Sequence, residues 1–296
     1  MPKSSRRLTI FLAIVVLSSA ASPSHAQTLA PLPSSQPEWV QDFAPFRIVG
    51  NLYYVGTYDL ACYLLTTSKG HILINTGLPG SDTMILRHIR ALGFKVSDIH
   101  ILLTNQAHFD HVGGMAAVRH ASKAKMFVDA GDAPILADGG NSDFVFGGKG
   151  PLFVPLNADR LLHDHDTIKL GEMSIVMLHH PGHTKGSCSY YFTVKDETRT
   201  WRVLIANIPT ILDATKFPSM PAYPNVMKDY AYTLDTMPKI QFDLWFAAHA
   251  GQFNLHNKYQ SGNPYNPAAF SDRAGYDAAI RKQQDVFAKR ASEATQ

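Results

Sequence analysis

Apolar residues recur along this chain at two periods. Residues 46–75 set β-branched and aromatic positions in short runs broken at Gly50-Asn51, Gly56 and Lys69-Gly70, the pattern of strands separated by turns. Over residues 82–92 the period changes: Ile85, Ile89 and Leu92 share one helical face, and Gly93 is placed to end it. An apolar strand at 97–104 and a helix opening at Gly113 follow, then a strand at 125–129 and a short helix at 133–137. The second half repeats the theme, with strands at 167–170, 173–178, 189–193, 201–206 and 244–248, a helix over 228–237 and a charged helical tail over 272–291. Strand-rich halves that each carry helices predict an α/β (α+β) αββα sandwich, two sheets face to face with helices outside.

Two stretches break this pattern. Residues 138–155 are rich in glycine yet include Phe144, Val145, Phe146 and Phe153, and a loop this long and apolar is more often functional than filler. The N-terminus has a basic start (Lys3, Arg6, Arg7), an apolar run over 8–17 and the small-residue stretch Ser24-His25-Ala26. It reads as a secretory signal peptide, 1–26, cut after Ala26, with an apolar core too short to span a bilayer. A Pro- and Ser-rich arm, 27–45, then leads into one domain, 46–296.

Export changes the charge argument. The formal net charge is +3, and loss of Lys3, Arg6 and Arg7 leaves the mature chain neutral, with no basic footprint for nucleic acid. The only cysteines, Cys62 and Cys188, sit in apolar strand contexts and are expected as buried free thiols rather than a bridge.

The densest chemistry lies in Gln106-Ala107-His108-Phe109-Asp110-His111, between the strand at 97–104 and the next helix, in what reads as an open loop. Imidazole nitrogen with carboxylate oxygen suits zinc, whereas calcium and magnesium demand mostly oxygens. Two further histidines repeat the arrangement of an apolar strand followed by a ligand-type residue: His183 after Pro181-Gly182, and His249 at the end of Asp243-Leu-Trp-Phe-Ala-Ala. His163-Asp164-His165-Asp166 offers similar residues, but before a hairpin, where Asp and His commonly face solvent at turns.

The H-x-D-H spacing, His183 within P-G-H-T-x-G-S and His249 after a hydrophobic strand resemble the metallo-β-lactamase superfamily. More narrowly the chain resembles subclass B3 metallo-β-lactamases of the GOB type, in which glutamine replaces the first histidine of H-x-H-x-D-H. The likeness extends from Pro37-Glu38-Trp39 and Phe46-Arg47-Ile48 through GTYDL (56–60), ILINTG (72–77) and GHTKGS to Pro264-Tyr265-Asn266-Pro267. It implies a metal site at the edge of the two sheets, holding one or two zinc ions. Gln106, His108 and His183 would form one ligand set and Asp110, His111 and His249 the other, the second filling first because an amide oxygen is a poorer donor than imidazole. It implies zinc-dependent hydrolysis of the β-lactam amide of penicillins, cephalosporins and carbapenems by a metal-bound hydroxide, with Asp110 catalytic, conferring resistance from a monomer in the periplasm. Thr210, with Asn207 behind it, is the expected carboxylate partner of the substrate, and Trp39, Phe144 and Phe146 are further expected contacts. Asn75, where most of the superfamily has aspartate, is expected to prop the metal loop more softly. The alternatives are a lactone, thioester or phosphodiester hydrolase of the same fold, or a non-catalytic periplasmic zinc-binding protein.

Overall fold

The computed structural model describes Met1 and residues 28–294, so the predicted signal peptide after Met1 lies outside the described residues. Alternation along the strands sorts side chains between two cores. In β3 (Tyr63–Thr67) and β4 (Gly70–Ile74), Tyr63, Leu65, Ile72 and Ile74 point to one core, while Leu64 and Leu73 point to the other. These strands lie in a seven-stranded sheet ordered β1 (Phe46–Val49), β2 (Leu52–Tyr54), β3, β4, β5 (Ile99–Leu103), β6 (Lys125–Asp129) and β7 (Arg160–Leu162). It is antiparallel up to β4 and parallel from there on.

The second sheet runs β12 (Leu244–Ala247), β11 (Thr200–Ala206), β10 (Cys188–Lys195), β9 (Met173–His179), β8 (Thr167–Leu170), with only β11 and β12 parallel. Its Tyr190, Phe192, Val203 and Ile205 meet Tyr63, Ile72 and Ile74 in the first core. The helices Asp82–Ala91, Met115–Ser122 and Ala133–Ala137 contribute Ile85, Ile89, Val118 and Leu136 to the second core, over the outer face of the larger sheet. The helices Val226–Thr236 and Arg273–Glu293 place Leu234, Tyr276 and Ile280 beside Trp245 of the smaller one. The result is the four-layer αββα arrangement that the two periods predict.

Differences from the sequence reading are local. The strand at 97–104 begins as a 3₁₀ turn, Val96–Asp98, and β7 is three residues long, too short to show a period. Cys62 and Cys188 are both free and buried. Among the described residues no helix is long and apolar enough to cross a membrane.

Two sets of backbone bonds stitch the sheets together at one edge. Leu60 bridges His249, with Ala61 N–H donating to the Ala248 carbonyl at 3.0 Å. Nearby, Cys188 N–H donates to the Asn105 carbonyl at 2.8 Å, and the Asn105 side chain returns a bond to the Cys188 carbonyl at 3.0 Å. The histidine-rich segments emerge along this seam.

Candidate metal centre

At the end of β4 the chain passes through Asn75, a non-glycine residue with φ of 64°. That left-handed backbone, tolerated best by Asn and Asp, turns the amide toward the loop after β5. Its oxygen accepts from Asn105 N–H (3.0 Å) and the Thr104 hydroxyl (3.1 Å), and its NH2 donates to the Ala61 carbonyl (3.3 Å) and Asn105 Oδ1 (3.0 Å). A carboxylate could accept but not donate, so of the three bonds Asn75 makes to this loop and the fourth it makes to Ala61, the two donated by its NH2 are ones that aspartate could not make.

Asp110 and His111 do not lie in an open loop; they sit on a one-turn helix, Phe109–Val112. The turn closes because His111 and Val112 N–H both donate to the His108 carbonyl, at 3.0 and 3.1 Å, while Thr76 N–H holds the His111 carbonyl at 2.7 Å. Gly113 follows where a Cβ would fall 2.1 Å from the Pro79 nitrogen, so only glycine lets the turn press this close to the Leu78–Pro79 segment that follows β4.

His183 is carried on the hairpin between β9 and β10, where Gly182 takes φ of 132°. One buried carboxylate, Asp132, fastens this hairpin to the Gln106–His108 loop. It accepts from Ala107 N–H, the Thr184 hydroxyl and Gly186 N–H, each at 2.7 Å. Burial pushes its carboxyl up to about 6 against the pull of those donors.

These elements bring Asp110, His111 and His249 together, their ligand atoms all within 4.8 Å of one another. Asp110 Oδ2 lies 3.3 Å from His111 Nε2 and 3.4 Å from His249 Nε2. The His108 and His183 rings stand 4.9 Å apart by centroid. Gln106, His108, His183, Asp110 and His249 line one cavity of about 140 Å³, and His111 is fully buried beside it. Gln106 Oε1 and His111 Nδ1 are buried without a hydrogen-bond partner, and His111 Nε2 has only the Asp110 carboxylate, at 3.3 Å. Leaving such groups unmet costs about 1–3 kcal/mol each, so the fold holds donors in readiness for a partner outside the chain. The mixture of imidazole, carboxylate and amide fits a borderline cation of the zinc kind.

The ring nitrogens on the far side set the tautomers. His249 Nδ1 donates to Asp59 Oδ2 at 2.9 Å, His183 Nδ1 to the Thr210 carbonyl at 2.7 Å, and His108 Nε2 to Asp143 Oδ2 at 3.2 Å. Burial opposes charge on His249, but the bonds to Asp110 and Asp59 outweigh it and push the imidazole up to about 9. Burial and the neighbouring His108 push His183 down to about 3. His108 is raised, against its burial, by Asp143. Asp110 is held well below the usual carboxylate range, against its burial, by His111 and His249.

Of the expected substrate contacts, Trp39, Phe146, Asn207 and Thr210 line the cavity. Trp39 donates to Asp59 at 3.2 Å and lies 5.8 Å from the His249 ring; Phe146 meets the His108 ring edge to face at 5.0 Å. Asn207 Nδ2 is buried and unpartnered. Phe144 instead packs edge to face on Tyr223 at 5.0 Å, outside the lining. Sequence reasoning missed Asp59, Asp132 and Asp143, which hold the histidines and their loops; Asp59, inside the GTYDL motif, and Asp143, inside the glycine-rich stretch 138–155, lay in segments singled out in advance, and Asp132 did not. The His163–Asp166 stretch forms a turn with His165 exposed at φ of 64°, and among the described residues it makes no metal-type cluster.

Comparison with known proteins agrees with this fold. Residues 57–196 match the model of the metallo-beta-lactamase superfamily. A beta-lactamase from Chitinophaga pinensis is 61% identical, with 88% of this chain and 98% of that one covered and a TM-score of 0.87. The class B3 di-zinc metallo-beta-lactamase LRA-12 from an Alaskan soil metagenome is 54% identical over 89% of this chain and 99% of its own, TM-score 0.87. GOB-18 of Elizabethkingia meningoseptica, a metallo-beta-lactamase, is 48% identical over 90% and 98%, TM-score 0.88. The chain spans 60–64% of the length of two curated relatives from Bacillus subtilis that it also matches. At such identity over nearly the whole of three solved relatives, the chain belongs to the metallo-β-lactamase superfamily and, within it, to the class B3 enzymes.

Proposed function

We propose that this chain hydrolyses the amide bond of β-lactam antibiotics with zinc bound in two adjoining sites, and so confers resistance. The observation that carries the reading is the convergence of five donor residues, from positions 106 to 249, on one cavity with His111 buried beside it, Gln106 Oε1 and His111 Nδ1 having no partner in the chain. Gln106, His108 and His183 hold one ion; Asp110, His111 and His249 hold the other. When bound, zinc supplies Lewis acidity, bringing the pKa of a water near neutrality and polarising a carbonyl.

The chain's own contribution is positional and acid–base. Asp110, kept ionised by His111 and His249, can accept a proton from the attacking water and pass it to the departing ring nitrogen. Thr210, whose Oγ1 lies 3.1 Å from His183 Nδ1, presents a hydroxyl to the substrate carboxylate. Asn207 supplies a free Nδ2 donor to the same cavity. Trp39 and Phe146 wall it with apolar surface and limit the water around the reacting atoms. Residues 46–296 form the catalytic domain, and export to the periplasm follows the signal-type N-terminus.

The test is hydrolysis of a penicillin, a cephalosporin and a carbapenem, with a lactone and a thioester in parallel. Turnover of β-lactams that is lost to a chelator and restored by zinc supports the reading. Zinc-dependent turnover of the lactone or thioester alone overturns it, as does tight zinc binding with no hydrolysis.

A further inference from the structure

The loop over residues 138–155 is joined to the candidate metal centre through Phe146 and through Asp143, which also shapes the loop's own turn. Asp143 is buried, and its two oxygens face different ways. Oδ1 accepts from the backbone N–H groups of Val145 and Phe146, at 2.8 and 2.7 Å, and so shapes the turn that carries Phe146. Oδ2 accepts from His108 Nε2 at 3.2 Å. The Phe146 ring then lies against His108 and, 5.5 Å away, against Phe109. The carboxylate thus touches at once a donor of the first trio and the turn that builds one wall of the cavity.

We propose that Asp143 is a positioning residue that fixes the His108 tautomer, leaving Nδ1 as the donor nitrogen, and thereby makes loading of the first trio and ordering of the Phe146 turn a single coupled event. The physical basis is general: a carboxylate bonded to the far nitrogen of a ligating histidine orients the ring and raises its basicity. Here the same carboxylate also caps a turn. A cation drawing on Nδ1 strengthens the Nε2–H bond to Oδ2 and so holds Asp143, and a held Asp143 fixes the N–H groups of Val145 and Phe146. By reciprocity, a ligand that packs on Phe146 tightens the hold of the first trio on its ion. The inference rests on the zinc reading given above.

Asp143→Asn and Asp143→Ala separate the two halves of the coupling. The asparagine oxygen can still accept from Val145 and Phe146, but its NH2 facing His108 Nε2 favours the opposite tautomer; alanine removes both contacts. The measurements are zinc affinity by competition with a chromophoric chelator, the absorption spectrum of the cobalt-loaded protein, and hydrogen exchange of residues 143–148 with and without zinc. Expected are a loss of about 10–100-fold in affinity at one of two sites in both variants and an altered cobalt spectrum. Zinc-dependent protection of residues 145 and 146 should be present in the wild type and absent in both, while zinc-free protection survives only with asparagine. An Asp143→Asn protein that matches the wild type in affinity and cobalt spectrum overturns this inference alone. A wild-type chain that takes up no zinc overturns it together with the proposed function.

Discussion

His249 and His183 are both strand-end histidines facing one cavity, yet different groups stand behind them. His249 donates to Asp59, itself held by Gly251 N–H at 2.9 Å and by Trp39, and its other nitrogen faces Asp110. His183 donates to a neutral carbonyl, that of Thr210, and its neighbour is another imidazole. The first is pushed up to about 9 and the second down to about 3. As the proposed metal sites, the Asp110 trio would be anionic but hold a proton on His249 at neutral pH, while the Gln106 trio would have a weaker amide donor and no proton on His183, with Asp143 favouring one on His108. The two sites would then meet different proton competition, and the order of filling would depend on pH.

The harshest way to break the contrast is Asp110→Asn, which makes the second trio as neutral as the first and removes the proton acceptor. Turnover should fall about 10³-fold or more, with circular dichroism unchanged; a variant retaining a tenth of wild-type kcat would remove Asp110 from the chemistry.

Next in size is the pH dependence. Since the folded value of His249 lies above its ordinary 6.5, its proton stabilises the metal-free fold fully below pH 6.5, and that contribution is lost as pH rises through about 9. A cation must displace this proton, so zinc affinity of the second trio should drop about tenfold per pH unit on going down from 9. Asp59→Asn should flatten that slope. Zinc titrations from pH 6 to 9 that show equal slopes in the two proteins would rule out Asp59 as its source.

Gln106→His sharpens the comparison from the other side. An imidazole nitrogen in place of the amide oxygen should raise affinity at the weaker site about tenfold or more, read by the same competition assay. The smallest effect expected is from Phe146→Ala, which trims an apolar wall: a rise in KM of about 3–10-fold with kcat nearly unchanged, of the size that loss of partial aromatic burial produces.

The sequence displayed the frame well because its signals are local. β3 and β4 alternate between two cores, and their period of two is visible without neighbours. His183 and His249 announce themselves by closing apolar runs. Asp59, Asp132 and Asp143 did not, since an acidic residue in a loop looks the same whether it faces solvent or reaches across 190 residues to a histidine, as Asp59 does to His249. The turn Phe109–Val112 was hidden for a related reason: one helical turn carries too few residues for a period, and this one is closed from outside by Thr76. Phe144 and Phe146, two positions apart, were indistinguishable until Asp143 turned one of them toward His108.

The stitching of the two sheets at Leu60 and Ala61 carries a mechanical consequence. His249 is bridged to Leu60, in the connection that leads into β3 of the larger sheet, and lies two residues past β12 of the smaller one, so an ion gripping it together with Asp110 would act as a rivet through both plates of the sandwich. Stripping that ion should let the plates slide at this edge first, and the cavity beside it would slacken well before the protein as a whole melts.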